Sequence, residues 1–419
     1  MTFKPKKAAV YKARIIKDLK ALGTYRPEFD MVIETLAMIY EQRDKNLAKW
    51  EELDNFAPVC EYTNKAGATN LSKHPCYLNN LQYHEQILKY TKELGLTPSG
   101  AKKLNVSLEK DFTYLQDFKR DVENGRYRLG KWMLLNLEFV EWVLDSGQCL
   151  YDSEKADKAI RFIETQCRYV EGRSGPFILE TWQKYITACI FGLVDDDGYR
   201  HFTEFVLIIA RKQGKSTFAA ALEACVAYTQ KENGMQIYNL APKLQQANII
   251  YNQALLMIQA NKTMSKLGKK RRSDFYIAGK NCTISPLAFN SKKSDGFNPY
   301  LTIFDEFAAW EGVKALDMYN VMLSAQGGRH DPINLACSTA NFIDGGLYDE
   351  LFPRCTSVLL RNSEETSLLP FLFMIDDIEK WDDVEELRKA MPNLGVSFFE
   401  KKLEAEIRKA HASSAYKAE

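Results

Sequence analysis

None of the nine cysteines stands in a Cys-x-x-Cys pair, so zinc-ligand spacing is absent and free thiols in a reducing compartment are the simplest reading. Free cysteine is among the most buried residue types, and these nine are expected in the core. No apolar run approaches the roughly 18 residues of a membrane span, and the opening MTFKPKKAAVYKAR lacks the apolar centre of a secretory signal. The protein is therefore expected to be soluble and to remain where it is made. An excess of one charge is missing too: a net charge of +1 supplies no global argument for a polyanionic partner, and any such surface must be local. Internal repeats and low-complexity tracts are also lacking. What is present is a globular composition, 46% hydrophobic and 12% aromatic, over 419 residues, enough for two or three units.

The first hundred residues carry helical periodicity. Residues 29–54 place Met31, Ile33, Leu36, Ile39 and Tyr40 at the spacing of a helix stripe. The stretch NKAGATNLSKHP (64–75) breaks the pattern and reads as a loop. A second stripe runs through Leu78, Leu81, Tyr83, Ile87, Leu88 and Tyr90, with Gly95 suited to a C-terminal cap and Thr97-Pro98 to a new helix start. Further helical stretches, YLQDFKRDVENG and FVEWVLD among them, occupy about 110–170.

The character changes near residue 200. FTEFVLIIA (202–210) is a continuous apolar run of strand length, followed at once by a Gly/Lys/Ser/Thr loop and then by the helical FAAALEACVAYTQ (218–230). MQIYNLA (235–241), YLTIFDE (300–306) and INLACST (333–339) are short apolar segments closed by polar residues. Strands alternating with helices predict a mostly parallel sheet with helices on both faces.

The loop Arg211-Lys212-Gln213-Gly214-Lys215-Ser216-Thr217 sits between strand and helix. In that context Gly214 lets the backbone approach phosphates, while successive N–H groups and the helix N-terminus supply donors and partial positive charge. Lys215 is expected to reach the β- and γ-phosphates of ATP, and the Ser216 hydroxyl to hold Mg²⁺. The full pattern G-x-x-x-x-G-K-[ST] places a glycine where this chain has Ile209. LTIFDEF delivers Asp305 and Glu306 to the end of a later strand, where ligands gather in open α/β sheets. An aspartate there accepts the metal or its water, and the adjacent glutamate can align and deprotonate an attacking water. Ser338-Thr339-Ala340-Asn341, at a third strand end, offers either a helix cap or a γ-phosphate sensor.

These residues resemble the large terminase subunit of tailed bacteriophages, the motor that packages DNA. The resemblance covers roughly 105–419 and rests on PFILETWQKYITACIFGL (176–193), IIARKQGKSTFAAA, LAPKLQQA, SDGFNPYLTIFDEFAAW and CSTAN, in that order. It implies a P-loop NTPase of the RecA/ASCE-like kind, and Ile209 agrees with the terminase version of the loop, which resembles R-x-x-G-K-[ST] and lacks the first glycine. It further implies Arg211 as an arginine finger in cis, Trp182-Gln183 as the adenine-contacting element, Glu306 as catalytic base, and 338–341 as the element coupling hydrolysis to motion. The N-terminal RIIKDLKALGTYRPEFDMVIETLAMIY, with KHP (73–75) and ELGLTPSGAKKL, resembles a small terminase subunit of the P27-like kind.

The organisation expected on this reading is an all-helical small-terminase-like region over 1–105, a helical connector over 106–170, an ATPase core over 171–355 and a helical linker subdomain over 356–419. Residues 342–419, about eighty, cannot house a nuclease domain of ordinary size, and none is expected in this chain. Partners implied are double-stranded DNA, a portal or procapsid and further copies in a ring, in the host cytoplasm and away from membranes. Between Lys262 and Lys293 stand nine Lys/Arg and one acid, including Lys269-Lys270-Arg271-Arg272, a candidate surface for the DNA backbone or simply a solvated face. Competing readings are a DEAD-like helicase, which shares the DE pair, and an assembly factor that binds nucleotide without turnover.

Overall fold

A computed structural model describes residues 4–21, 25, 27–63, 69–94, 112–288, 296–340 and 345–413. They divide by internal packing into two units, Met1–Asp111 and Phe112–Glu419.

In the first unit, α1 (Ala8–Ala21), α2 (Asp30–Asp54) and α3 (Pro75–Glu93) bury Ile15, Leu19, Ile33, Leu36, Ala37 and Ile87 in a core of their own. Met31 points outward, because α2 turns the Ile33–Leu36–Ala37 face inward at helical spacing. Pro75 opens α3, the first helical position, where its missing N–H costs nothing. One segment differs from the sequence expectation: part of the stretch read as a loop is a strand. β1 (Val59–Thr63) pairs antiparallel with β2 (Thr69–Lys73), so an antiparallel ladder satisfies backbone groups that the polar composition alone assigned to solvent. Gly95, Thr97 and Pro98 lie outside the described residues.

The second unit opens with α4 (Thr113–Glu123), α5 (Lys131–Asp145), the short strand β3 (Leu150–Tyr151), α6 (Ser153–Gln166), α7 (Thr181–Gly192) and β4 (Leu193–Val194), which pairs with β3. Then come β5 (Glu204–Ile208), α8 (Lys215–Thr229), β6 (Gln236–Ala241), α9 (Leu244–Ala260), α10 (Lys262–Leu267), β7 (Gly268–Lys270), β8 (Phe275–Ile277) and β9 (Cys282–Ala288). The chain continues through β10 (Pro299–Asp305), α11 (Val313–Ser324), β11 (Ile333–Ser338), α12 (Leu347–Leu359), β12 (Leu368–Leu372), α13 (Val384–Leu387) and α14 (Glu400–Ala412). The sheet runs β12-β5-β11-β10-β6-β9-β8-β7. From β12 to β9 every pairing is parallel; β8 and β7 add antiparallel strands at one edge. Every residue of β5, β10, β11 and β12 is buried, as a sheet covered on both faces requires.

The helices before the sheet are not a separate connector. Phe118, Met133 and Ile160 share one continuous core with Phe205, Phe218 and Phe304 of the sheet and its helices. The tail is not purely helical either: Leu368–Leu372 pairs with β5 through Leu368↔Glu204 to Leu372↔Ile208. Its five buried residues reflect a sheet position that an apolar pentapeptide does not announce on its own. Eight of the nine cysteines are buried and Cys60 is half-buried, and none forms a disulfide. No helix among the described residues is long and apolar enough to cross a membrane.

The start of β5 is pinned electrostatically. Glu204, 3% exposed, accepts from both guanidinium nitrogens of Arg354 at 3.0 Å and from the Tyr319 hydroxyl. Arg354 is held above its ordinary range: burial opposes the charge, and the Glu204 and Glu365 carboxylates outweigh it. Glu204→Ala is expected to destabilise this unit by about 1–2 kcal/mol, since it removes a bidentate pair and the acceptor of the buried Tyr319 hydroxyl, while Arg354, 36% exposed, keeps Glu365. Urea denaturation checks this; a midpoint equal to wild type would contradict it.

Candidate active site

β5, β10 and β11 end at one edge of the sheet, and their register sets what meets there. Asp305 lies opposite Cys337, Cys337 opposite Leu207, and Ser338 opposite Ile208, so three strand tips stand side by side with β11 in the middle. Beyond β5, the Ile209 N–H donates to the Ser338 carbonyl at 3.1 Å. The loop then turns through Lys212 at φ 66° and Gly214 at φ 82°. Glycine adopts that left-handed geometry freely, whereas at Lys212 it costs roughly 1 kcal/mol and persists only if neighbours hold it. Helix α8 begins at Lys215, and no side chain caps it. Its first-turn N–H groups and dipole are thus presented at the strand tips.

Lys215 is 8% exposed and Asp305 5%. The Lys215 Nζ lies 3.1 Å from Asp305 Oδ1 and also donates to Glu306 Oε1. Glu306 Oε2 accepts from Thr339 Oγ1 at 3.2 Å and Ser338 Oγ at 3.4 Å. Glu306 itself is left-handed, at φ 51° and ψ 45°, which turns its carboxylate back toward Lys215 and β11. The Trp310 indole donates to the Asp305 carbonyl at 3.0 Å, and the Ala308 N–H to Ser338 Oγ at 3.1 Å, fixing the turn after β10.

Burial and charge pull these groups in different directions. Burial pushes the Asp305 carboxyl above the usual carboxylate range, and Lys215 offsets this only in part. Burial also works against ionised Glu306, but the Lys215 ammonium and the Thr339 bonds outweigh it and hold that carboxyl low. For Lys215 burial opposes the charge, and Asp305 and Glu306 outweigh it, keeping the ammonium above its ordinary value. The arrangement is a fixed cation, an ionised carboxylate, and a second carboxylate under electrostatic strain.

Ser216 and Thr217, in the first turn of α8, are partly buried, and Arg211 and Lys212 are exposed at the loop surface. Gln213 is fully buried. Trp182 is buried between Phe218 and Phe373, with ring centroids 5.8 Å and 5.6 Å away, and its indole N–H donates to Asn393 Oδ1 at 2.8 Å. Gln183, also buried, accepts from the Glu180 N–H at 2.9 Å within a capping box. Ala340 is exposed, and Asn341 lies outside the described residues.

The basic run lies elsewhere. Lys269 and Lys270 belong to edge strand β7, separated from β10 by β8, β9 and β6. Lys270 lies 4.2 Å over the Tyr251 ring, and Arg271 pairs with Asp274 at 2.5 Å and stacks on Tyr276, while Lys269 and Arg272 are exposed. Sequence reasoning missed Asn393 and Ser397, which bond the phosphate-loop backbone from the C-terminal segment. Nothing in the string PNLGVS announces that contact, because it links residues about 180 positions apart.

A family model for the terminase large subunit ATPase domain matches residues 181–355, and one for the phage terminase small subunit matches residues 9–111. The chain thus carries one segment similar to each of the two terminase subunit families. The P-loop-type α/β unit holds the segment similar to the large-subunit ATPase domain, and the region before it the segment similar to the small subunit. The large terminase subunit of Enterobacteria phage HK97 is 27% identical over 198 residues, covering 46% of this chain and 38% of that protein. Protein YmfN of Escherichia coli strain K12 is 30% identical over 110 residues, covering 26% of this chain and 23% of that one. The crystal structure of the HK97 bacteriophage large terminase shares the fold, with a TM-score of 0.53 at 23% identity over 63% of this chain and 53% of that one. The matches therefore span less than half the length of these two curated relatives.

Proposed function

We propose that this chain is the ATP-hydrolysing motor subunit of a phage terminase, moving double-stranded DNA toward a portal or procapsid and fused to its own DNA-recognition region. The observation that carries the reading is the approach of Lys215 to Asp305 at 3.1 Å and to Glu306, beneath an uncapped helix N-terminus. A triphosphate competes with those carboxylates for the lysine and takes the free N–H donors of α8. Arg211, Lys212, Gln213, Gly214 and Thr217 complete the cradle; Trp182 and Gln183 are buried and bonded to Asn393 and Glu180, so a contact with adenine requires them to leave those partners.

The donor set fits Mg²⁺. The Ser216 hydroxyl and Asp305 carboxylate are hard oxygen donors, and Asp305 Oδ1 is buried with no hydrogen-bond partner beyond its ion pair. When bound there, the metal neutralises charge on the phosphates. Once the triphosphate draws Lys215 away, the charge that holds the Glu306 carboxyl low is shared with phosphate, and Glu306, steadied by Thr339, aligns the attacking water and takes its proton. Arg211 stabilises charge on the γ-phosphate. Because Ser338 and Thr339 touch Glu306, loss of the phosphate is transmitted to the 338–341 element.

The test is phosphate release by the purified chain with and without duplex DNA, run beside a strand-displacement assay. Hydrolysis stimulated by DNA without unwinding is expected. Unwinding would favour a helicase, and binding without turnover an assembly factor. For DNA, the exposed Lys269 and Arg272 are the candidate phosphate contacts on the β7–β8 hairpin. The K269A/R272A double variant is expected to weaken duplex binding alike for all sequences and to reduce the salt slope by about 2. An unchanged slope in a fluorescence-anisotropy titration would move the DNA path elsewhere.

A further inference from the structure

We propose that Asn393 is a positioning residue that holds the phosphate-binding loop in its nucleotide-competent shape, so that the segment 390–397 sets ATP affinity. The inference rests on the nucleotide site described above.

Four hydrogen bonds join this segment to the loop. The Ala210 N–H donates to the Ala390 carbonyl at 3.2 Å, and the Asn393 N–H to Gln213 Oε1 at 2.7 Å. Asn393 Nδ2 donates to the Gln213 carbonyl at 2.9 Å, and Ser397 Oγ to the Lys212 carbonyl at 2.6 Å. In a trans peptide the C=O and the following N–H point in opposite directions. Drawing the carbonyls of Lys212 and Gln213 out onto the segment therefore turns the N–H groups of Gln213 and Gly214 the other way, toward the inside of the loop. Those are the donors a phosphate cradle needs. The same bonds explain how Lys212 sustains φ 66° without being glycine.

Asn393 is suited to this place by carrying a donor and an acceptor on one short side chain. It is 5% exposed; its Oδ1 accepts from the Trp182 indole at 2.8 Å while Nδ2 serves the loop. The segment is itself anchored: Gly395, at φ 88°, donates to the Phe398 carbonyl at 2.7 Å, and Arg173 donates to the Val396 carbonyl. A displacement of 390–397 would thus release the loop carbonyls and disorder the cradle, which gives this tail a direct hold on nucleotide affinity.

Asn393→Asp separates the loop role from the packing role. The carboxylate still accepts from Trp182 but offers an oxygen, not a donor, to the Gln213 carbonyl. Equilibrium binding of a fluorescent ATP analogue with Mg²⁺, phosphate release and thermal melting are to be compared for wild type, Asn393→Asp and Ser397→Ala. Asn393→Asp is expected to raise Kd and KM about tenfold with a smaller change in kcat, and Ser397→Ala to raise them about threefold at an unchanged melting temperature. Should Asn393→Asp fail to fold, Ser397→Ala alone decides. Affinities within about twofold of wild type, or losses in affinity that only follow a falling melting temperature, would overturn the proposal. A wild-type chain that binds no nucleotide would overturn the site reading itself, and this inference with it.

Discussion

Lys215→Ala is expected to remove ATP binding and hydrolysis together, lowering kcat/KM by about 10³. The reason lies in what the ammonium does in the site as well as what it does for phosphate. Buried at 8% exposure, it is the cation facing Asp305 at 3.1 Å and Glu306. Without it two carboxylates face each other with their desolvation uncompensated, and both are driven upward in pKa. They then repel an incoming triphosphate. The pH dependence follows by linkage. In wild type the raised Lys215 contributes stability that is complete below its unfolded value of 10.5 and is lost as the pH rises through the folded value. In the variant the raised carboxyls cost stability wherever they are ionised, so its deficit is largest at neutral pH and shrinks toward about pH 4 as they take up protons. Equilibrium nucleotide binding and melting temperature against pH check both halves. Wild-type hydrolysis by this variant would dismantle the site.

Glu306→Gln is expected to have the opposite signature: turnover falls by about 10²–10⁴ while ATP affinity stays within a few-fold of wild type. The amide preserves the shape of the side chain and can still accept from Thr339 and Ser338 through its oxygen. It cannot take a proton from water. It also gives up the ion pair with Lys215, so the lysine is freer to meet phosphate, and binding should hold or tighten. Parallel measurements of phosphate release and of nucleotide Kd distinguish this variant from Lys215→Ala. Turnover within about tenfold of wild type would remove Glu306 from the role of base.

Part of this architecture was legible without coordinates. The apolar runs ending in polar residues at 202–210, 235–241, 300–306 and 333–339 correspond to β5, β6, β10 and β11, and Asp30–Asp54 is the expected long helix. Such signals are local: periodicity, strand length and the glycine-lysine-serine turn are written in adjacent residues. Segments whose structure depends on a distant partner were not legible. β2 is a strand because it pairs with β1, and β12 because it lies against β5. The hairpin β7–β8 reads by composition as a basic stretch, yet it is the edge of the main sheet.

The sequence by itself determined the chemistry on offer: a phosphate-loop pattern after one strand, a carboxylate pair after another, and a hydroxyl pair after a third. Tertiary structure alone decided that β11 lies between β5 and β10, so that Thr339 meets Glu306 and Lys215 meets both acids. It alone also decided that Asn393 reaches across about 180 residues of chain to the loop backbone. The physical reason is that side-chain patterns encode burial over a few residues, whereas register and crossing order are set by how whole faces pack, which no short stretch contains.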